Sequence, residues 1–291
     1  MKRILALLFA LLFAVPAFAD ARPAHPALWH VRGKNGEVWL LGSIHILPPD
    51  IAWHTPQIDK AIARAGVFVF EVPSDAASLG RMQELIAAQG YLPPGESLRA
   101  KLDPAGQADF DAALAGAGLP LAAVDRDRPW LASLQIMFVQ LTRANYSPDS
   151  GVDVEVQHAA DAAHKEKRYF ETIDQQFALL APGDAGLELN EFKSDLKDLA
   201  RPADAEIEPL VEAWAKGDPA AIDRLMNSEL DAFPDARKAL LDDRNQRWLL
   251  QIETMLTEKR GFFITVGAGH LAGPMGVPAL LRKAGYKVEG P

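Results

Sequence analysis

The chain has 291 residues, a formal charge of −9 and no cysteine. Without thiols it can build neither a disulfide framework nor a thiolate metal site, so any metal has to be held by His, Asp or Glu. The acidic balance argues against nucleic acid and anionic lipid as partners and suits cationic peptides or metal ions.

Residues 1–19 read as a secretory signal peptide. Lys2 and Arg3 give a positive start, Ile4 to Val15 form an apolar run, and Ala17-Phe18-Ala19 offers a small-x-small cleavage site. The run is shorter than the roughly 20 apolar residues a spanning helix needs, and Pro16 ends it. Cleavage after Ala19 leaves a charge of −11 and one exported domain at residues 20–291, periplasmic or secreted, with no later membrane-spanning stretch. Oligomeric state is not written in the pattern.

Trp29 to Arg32, the turn Gly33-Lys34-Asn35-Gly36 and Glu37 to Leu41 predict a β-hairpin that runs into Gly42-Ser43-Ile44-His45. Thr55-Pro56 starts a helix and Gly66 stops it. Val67 to Val72 reads as a strand buried on both faces, with Glu71 at its carboxyl end. A helical insertion follows at about residues 75–145, broken at Gly90, Pro93-Pro94-Gly95 and Gly116 to Pro120. Its last helix carries Trp130, Leu131, Leu134, Met137, Phe138 and Leu141 at helical spacing, the pattern of core packing. Gly151-Val152-Asp153 opens another helix, with Asp153 read as its cap. Lys167 to Glu171 is a short strand that also finishes on a carboxylate. A helical segment at about 175–260 has solvated, charge-alternating faces. Phe262 to Val266 is a strand leading into Gly267-Ala268-Gly269-His270, followed by a helix at Val277 to Ala284 and a strand at Tyr286 to Val288.

The two ends repeat one plan: apolar strand, Gly-x-x-His turn, Pro-containing loop, short helix closed by Ala-Gly, strand. Helical crossovers imply an α/β fold with a central, mostly parallel sheet contributed by both ends, and place His45 and His270 at its carboxyl edge. Two imidazoles with one or two carboxylates suit a divalent transition metal such as Zn, Mn, Co or Fe(II). Glu71, next to the first His turn, is the better third ligand beside His45 and His270, and Glu171 is then the spare general base for metal-assisted hydrolysis. No Gly-x-Ser-x-Gly, His-Glu-x-x-His or phosphate loop competes with this reading.

Leu40-Leu41-Gly42-Ser43-Ile44-His45, Phe70-Glu71-Val72, Gly151-Val152-Asp153, Phe170-Glu171-Thr172, Arg244-Asn245 and Val266-Gly267-Ala268-Gly269-His270-Leu271 together resemble the TraB/GumN family. That family includes the Tiki metalloproteases and is related to the erythromycin esterase and ChaN-like proteins. The resemblance implies a metal-dependent peptidase, with Mn or Co associated with the Tiki members, acting on a peptide or protein. It also adds Arg244 to the site, as a group that holds a substrate carboxylate or steadies an oxyanion; Asp242-Asp243-Arg244 can equally be a local ion pair. A binder that captures a secreted peptide or small ligand is the alternative, suggested by the family's pheromone-shutdown members. Haem or iron binding, by analogy with ChaN-like relatives, rests on fold alone.

Overall fold

The computed structural model describes residues 21–181 and 183–291, so the expected signal peptide lies outside the described residues. β1 (Arg22–Pro23) and β4 (Ile51–Ala52) make a short parallel ribbon. β2 (Leu28–Arg32), β3 (Glu37–Ser43), β5 (Val67–Phe70), β6 (Glu166–Tyr169), β7 (Gly261–Gly267) and β8 (Val288–Glu289) form one sheet in the order β6-β5-β7-β3-β2-β8. β6, β5, β7 and β3 run parallel, and β2 is antiparallel to both β3 and β8. The fold is therefore α/β, with a mostly parallel sheet built from both ends of the chain. The strands expected to end on Glu71 and Glu171 stop at Phe70 and Tyr169, and the last strand is shifted from the expected Tyr286–Val288 to Val288–Glu289.

The sheet is buried on both faces, and the side-chain period of two divides its residues between them. Trp39, Leu41, Phe68, Phe70 and Phe263 face one side. There they meet Ile58 and Ala61 of the helix Pro56–Arg64, Val152 and Val156 of the helix Val152–Ala162, and Val211 and Trp214 of the helix Ala203–Ala215. Val38, Leu40, Val67, Val69, Phe262 and Ile264 face the other side, against Trp248, Ile252 and Met255 of the helix Asp243–Met255 and Leu281 of the helix Val277–Lys283. Each such fully buried apolar side chain contributes about 1.5–3 kcal/mol. The first helix starts as its sequence dictates: Thr55 Oγ1 accepts from the Ile58 N–H at 3.2 Å, and Pro56 takes the first position.

A separate apolar cluster joins Leu98, Phe110, Leu114 and Ile136 to Phe192 and Leu196, so the helices Pro104–Ala117 and Pro129–Arg143 share a core with Ala185–Leu199. The expected packing stripe on Pro129–Arg143 is thus only half realised. Leu131, Ala132, Ile136 and Leu141 are buried, while Met137 is 42% and Phe138 49% exposed. The helix has core to cover on one side only, and its rotation leaves Met137 and Phe138 facing outward. Among the described residues no helix is long and apolar enough to cross a membrane.

Candidate functional site

His45 follows the carboxyl end of β3 and His270 that of β7, and these strands are neighbours with Gly42 opposite Val266 and Ser43 opposite Gly267. The two Gly-x-x-His turns therefore leave the sheet side by side. Glu71 and Glu171 follow β5 and β6, where the Glu171 N–H donates to the Glu71 carbonyl at 2.8 Å and carries the ladder past the strand ends. The first turn of Asp243–Met255 lies over this edge and places Arg244 among them.

Arg244 is the hub, only 5% exposed. Nε donates to Glu171 Oε1 at 2.8 Å, and Nη2 donates to Glu171 Oε2 at 2.9 Å, Glu71 Oε2 at 2.6 Å and Gln176 Oε1 at 3.2 Å. Nη1 donates to the Leu240 carbonyl at 3.2 Å and to His270 Nε2 at 2.9 Å. Two adjacent carboxylates repel unless a cation separates them, and here the guanidinium does so with a fork on Glu171. Burial alone disfavours the arginine's charge, but the bonds to Glu171 and the charges of Glu71 and Glu171 outweigh it and raise its pKa. Burial likewise works against ionised Glu71; His270, charged only in the acid range where the carboxyl itself titrates, the charges of Arg244 and His45, and the Gly267 N–H overcome it and hold the carboxyl below its ordinary range. Trp248 closes the cluster, its ring 4.8 Å below the guanidinium and 4.4 Å from the His270 ring, and its Nε1 donates to Glu171 Oε1 at 3.2 Å.

The state of His270 follows from its neighbours. Asn245 Nδ2 donates to the Met275 carbonyl, which leaves its Oδ1 to accept from His270 Nδ1 at 2.7 Å. Nε2 then carries the lone pair that accepts from Arg244. Burial, with Arg244 and His45 opposing a further positive charge and Glu71 favouring it, lowers the pKa to about 4, so this imidazole is neutral at pH 7.

His45 is its opposite. It sits at the rim with 65% of its side chain open, and Nδ1 lies 3.0 Å from Asp153 Oδ1. The surrounding protein still works against the charged form, yet the Asp153 hydrogen bond and the charges of Asp153 and Glu71, with Arg244 opposing, raise the pKa to about 9. Asp153 is not the cap that its sequence position suggests. Gly151 is the N-cap residue, with no side chain to accept a bond, because a Cβ there would stand 2.3 Å from the His45 carbonyl oxygen. The missing Cβ lets the helix start close against His45, and Asp153 reaches the ring from its first turn.

Gly267 is the second place where the absence of a side chain matters. A Cβ on it would lie 3.2 Å from Glu71 Oε1, 3.6 Å from His270 Cδ2 and 3.8 Å from His45 Nε2. Three of the five expected residues thus face one cradle, while Arg244 and Glu171 lie behind it. The donor types suit a transition metal. The arrangement does not, because His270 Nε2 already accepts from Arg244 Nη1, and among the described residues no group of three or more His, Asp or Glu is disposed to hold a metal ion. The cation at the centre of this cluster is the guanidinium.

The order and spacing of these residues are matched by the model of the TraB/PrgY/gumN family over residues 27–290. The chain belongs to the TraB/PrgY/gumN family. It is similar to an uncharacterized protein of Treponema pallidum, 22% identical over 268 residues that cover 88% of this chain and 80% of the relative. No solved structure matches. In this TraB/PrgY/gumN chain Asn245, Trp248 and Gln176, to which the sequence assigns no site role, and Asp153, which it assigns to a cap, are each within hydrogen-bond reach of His45, His270, Glu171 or Arg244. Two carried a signal: Asn245 follows Arg244 directly, and Trp248 stands four residues on, over the same helix face.

Proposed function

We propose that the chain is an exported hydrolase that cleaves a peptide or protein in the cell envelope, with the cradle over Gly267 as its reaction centre. The observation that carries this reading is the convergence of Glu71 Oε1 and His45 Nε2 on one small space, 3.2 and 3.8 Å from the same point. In this reading the nucleophile is a water lodged between these two side chains, over the open face of Gly267. Glu71, ionised at pH 7, takes a proton as the water oxygen attacks the substrate carbonyl carbon. His45, an imidazolium whose Nδ1–H is held by Asp153, presents Nε2–H to the developing oxyanion. The carbon–nitrogen bond then breaks and Glu71 returns the proton to the departing amine. Arg244 holds Glu71 in place, and Glu171, with both oxygens bonded to Arg244, serves that hub rather than the water.

A second reading is favoured by the donor set. A divalent ion (Mn, Co, Zn or Fe) held by His45, Glu71 and His270 would polarise the carbonyl and acidify a bound water, and it requires Arg244 to release His270 Nε2. Export itself rests on residues 1–19.

The test is digestion of an unstructured peptide library by the purified protein, with and without chelator, with metal content measured in parallel. Cleavage that survives chelation and is lost in Glu71→Gln supports the acid–base reading. Cleavage lost on chelation and restored by Mn or Co supports the metal reading. Tight peptide binding with no cleavage in either condition overturns both and leaves capture of a ligand as the function.

A further inference from the structure

An apolar recess of about 450 Å³ opens beside the cradle, and His45 is common to both. Its walls are Ile46, Leu134, Met137, Phe138, Leu141 and Pro148, with Gln135 the one other polar residue besides His45. Its size lies within the roughly 300–1,000 Å³ of ligand-binding pockets. Met137 and Phe138, the exposed large apolar residues of their helix, supply its outer wall.

The apolar surface continues beyond the recess. Met137 and Leu141 also border a second hollow, of about 610 Å³, lined by Leu199, Ile207, Leu210 and Leu225. Asp195, Asp198 and Glu206 stand along it, and among those lining residues Arg201 is the one cation. Arg201 is already paired with Asp198 and Glu206. Two hollows that share Met137 and Leu141, apolar next to His45 and acidic further out, match an extended chain better than a compact small molecule.

We infer that the recess between His45 and Phe138 is the pocket for a large apolar side chain of a peptide substrate, next to the bond presented to the cradle. This rests on the hydrolase reading and names its substrate class. A Phe or Leu side chain loses its contact with water against Leu134, Met137 and Phe138. An acidic side chain would be desolvated there with no cationic partner among the lining residues except His45, which already holds Asp153.

The test uses three acetylated, amidated pentapeptides that differ only at one central position, Phe, Ala or Asp. Affinity, cleavage rate and the methyl resonance of Met137 in 13C-methyl-methionine-labelled protein are recorded for each. The Phe peptide is expected to move the Met137 signal and to bind about tenfold or more tighter than the Ala peptide, with the Asp peptide weakest. Phe138→Glu and Met137→Glu, both at exposed positions, are expected to remove this ranking while the thermal melt stays unchanged; Phe138→Leu keeps it. Equal affinities, no binding at all, or a Met137 signal unmoved at saturation would overturn the inference. Ranked binding without cleavage removes the hydrolase reading and leaves the pocket standing, and cleavage without ranking does the reverse.

Discussion

Filling the cradle separates a reaction centre from a merely well-packed cluster, and Gly267→Ala does it with one methyl group. The backbone tolerates the change: Gly267 has φ −48° and ψ 135°, which an L-residue adopts without strain. The Gly267 N–H that Glu71 accepts is kept. The added carbon would meet Glu71 Oε1 at 3.2 Å, a contact relieved by a few tenths of an ångström, and His270 Cδ2 and His45 Nε2 at 3.6 and 3.8 Å, ordinary contact distances. Loss of glycine's freedom in the unfolded chain adds about 0.4–1 kcal/mol of stability, so the net change in unfolding free energy is expected within about 1 kcal/mol. Catalysis, on the hydrolase reading, is a different matter, because the methyl projects into the space over Gly267 that water and substrate carbonyl would share. A misplacement of about 1 Å already costs on the order of 10²-fold in rate, and outright occupancy is expected to cost at least that. Unfolding is followed by urea titration with circular dichroism, and turnover by kcat/KM on the peptide found in the library digest. A variant that folds normally and retains activity within about threefold would show that the reaction takes place elsewhere.

Arg244→Ala leaves two buried carboxylates facing each other without a cation, so a destabilisation of about 3–5 kcal/mol is expected; a urea-melt difference below about 1 kcal/mol would mean that water enters the cluster freely. Asp153→Asn removes the charge that holds up the His45 imidazolium, and the His45 NMR titration midpoint is expected to fall from about 9 towards the ordinary histidine value; an unmoved midpoint would assign that shift to Glu71 alone. Asp127, 2% exposed and bonded through Oδ2 to Gln135 Nε2 at 2.9 Å, has its pKa raised by burial to about 6. The folded value is above the unfolded one, so its contribution is fully present below about pH 4 and is lost as pH rises through 6. Asp127→Asn is therefore expected to gain roughly 2–3 kcal/mol over the parent at pH 8 and almost nothing at pH 4, and equal differences at both pH values would refute the assignment.

The frame of the site was legible because it is local. An apolar strand followed by Gly-x-x-His is a pattern of few residues, and a parallel sheet puts every such turn on the same edge, so His45, His270, Glu71 and Glu171 could be placed without knowing what lay between them. What joins them was not legible. Arg244 meets partners 26, 73 and 173 residues away, and no spacing rule links a helix residue to carboxylates that remote. A run of Asp242-Asp243-Arg244 therefore read as well as a surface ion pair. Asp153 reads as the cap because helix starts favour Asp, whereas the close approach to His45 puts the N-cap two residues earlier, where only glycine fits. Met137 and Phe138 failed for a related reason: helical periodicity says which residues share a face, and only the neighbouring helices say how much of that face is covered.

The position of β7 in the sheet has a consequence for how the molecule comes together. It is the strand between β5 and β3, yet it is drawn from residues 261–267. Until it is in place, the β2–β3 hairpin and the β5–β6 pair are separate ribbons of two strands, a size that is marginal alone in water. His270 and the cradle over Gly267 arrive on that same strand and its turn. The chain thus remains without both its full sheet and its candidate site until its last tenth or so has been supplied, and high contact order then makes closure slow. A chain built this way acquires its candidate site and its sheet in one event.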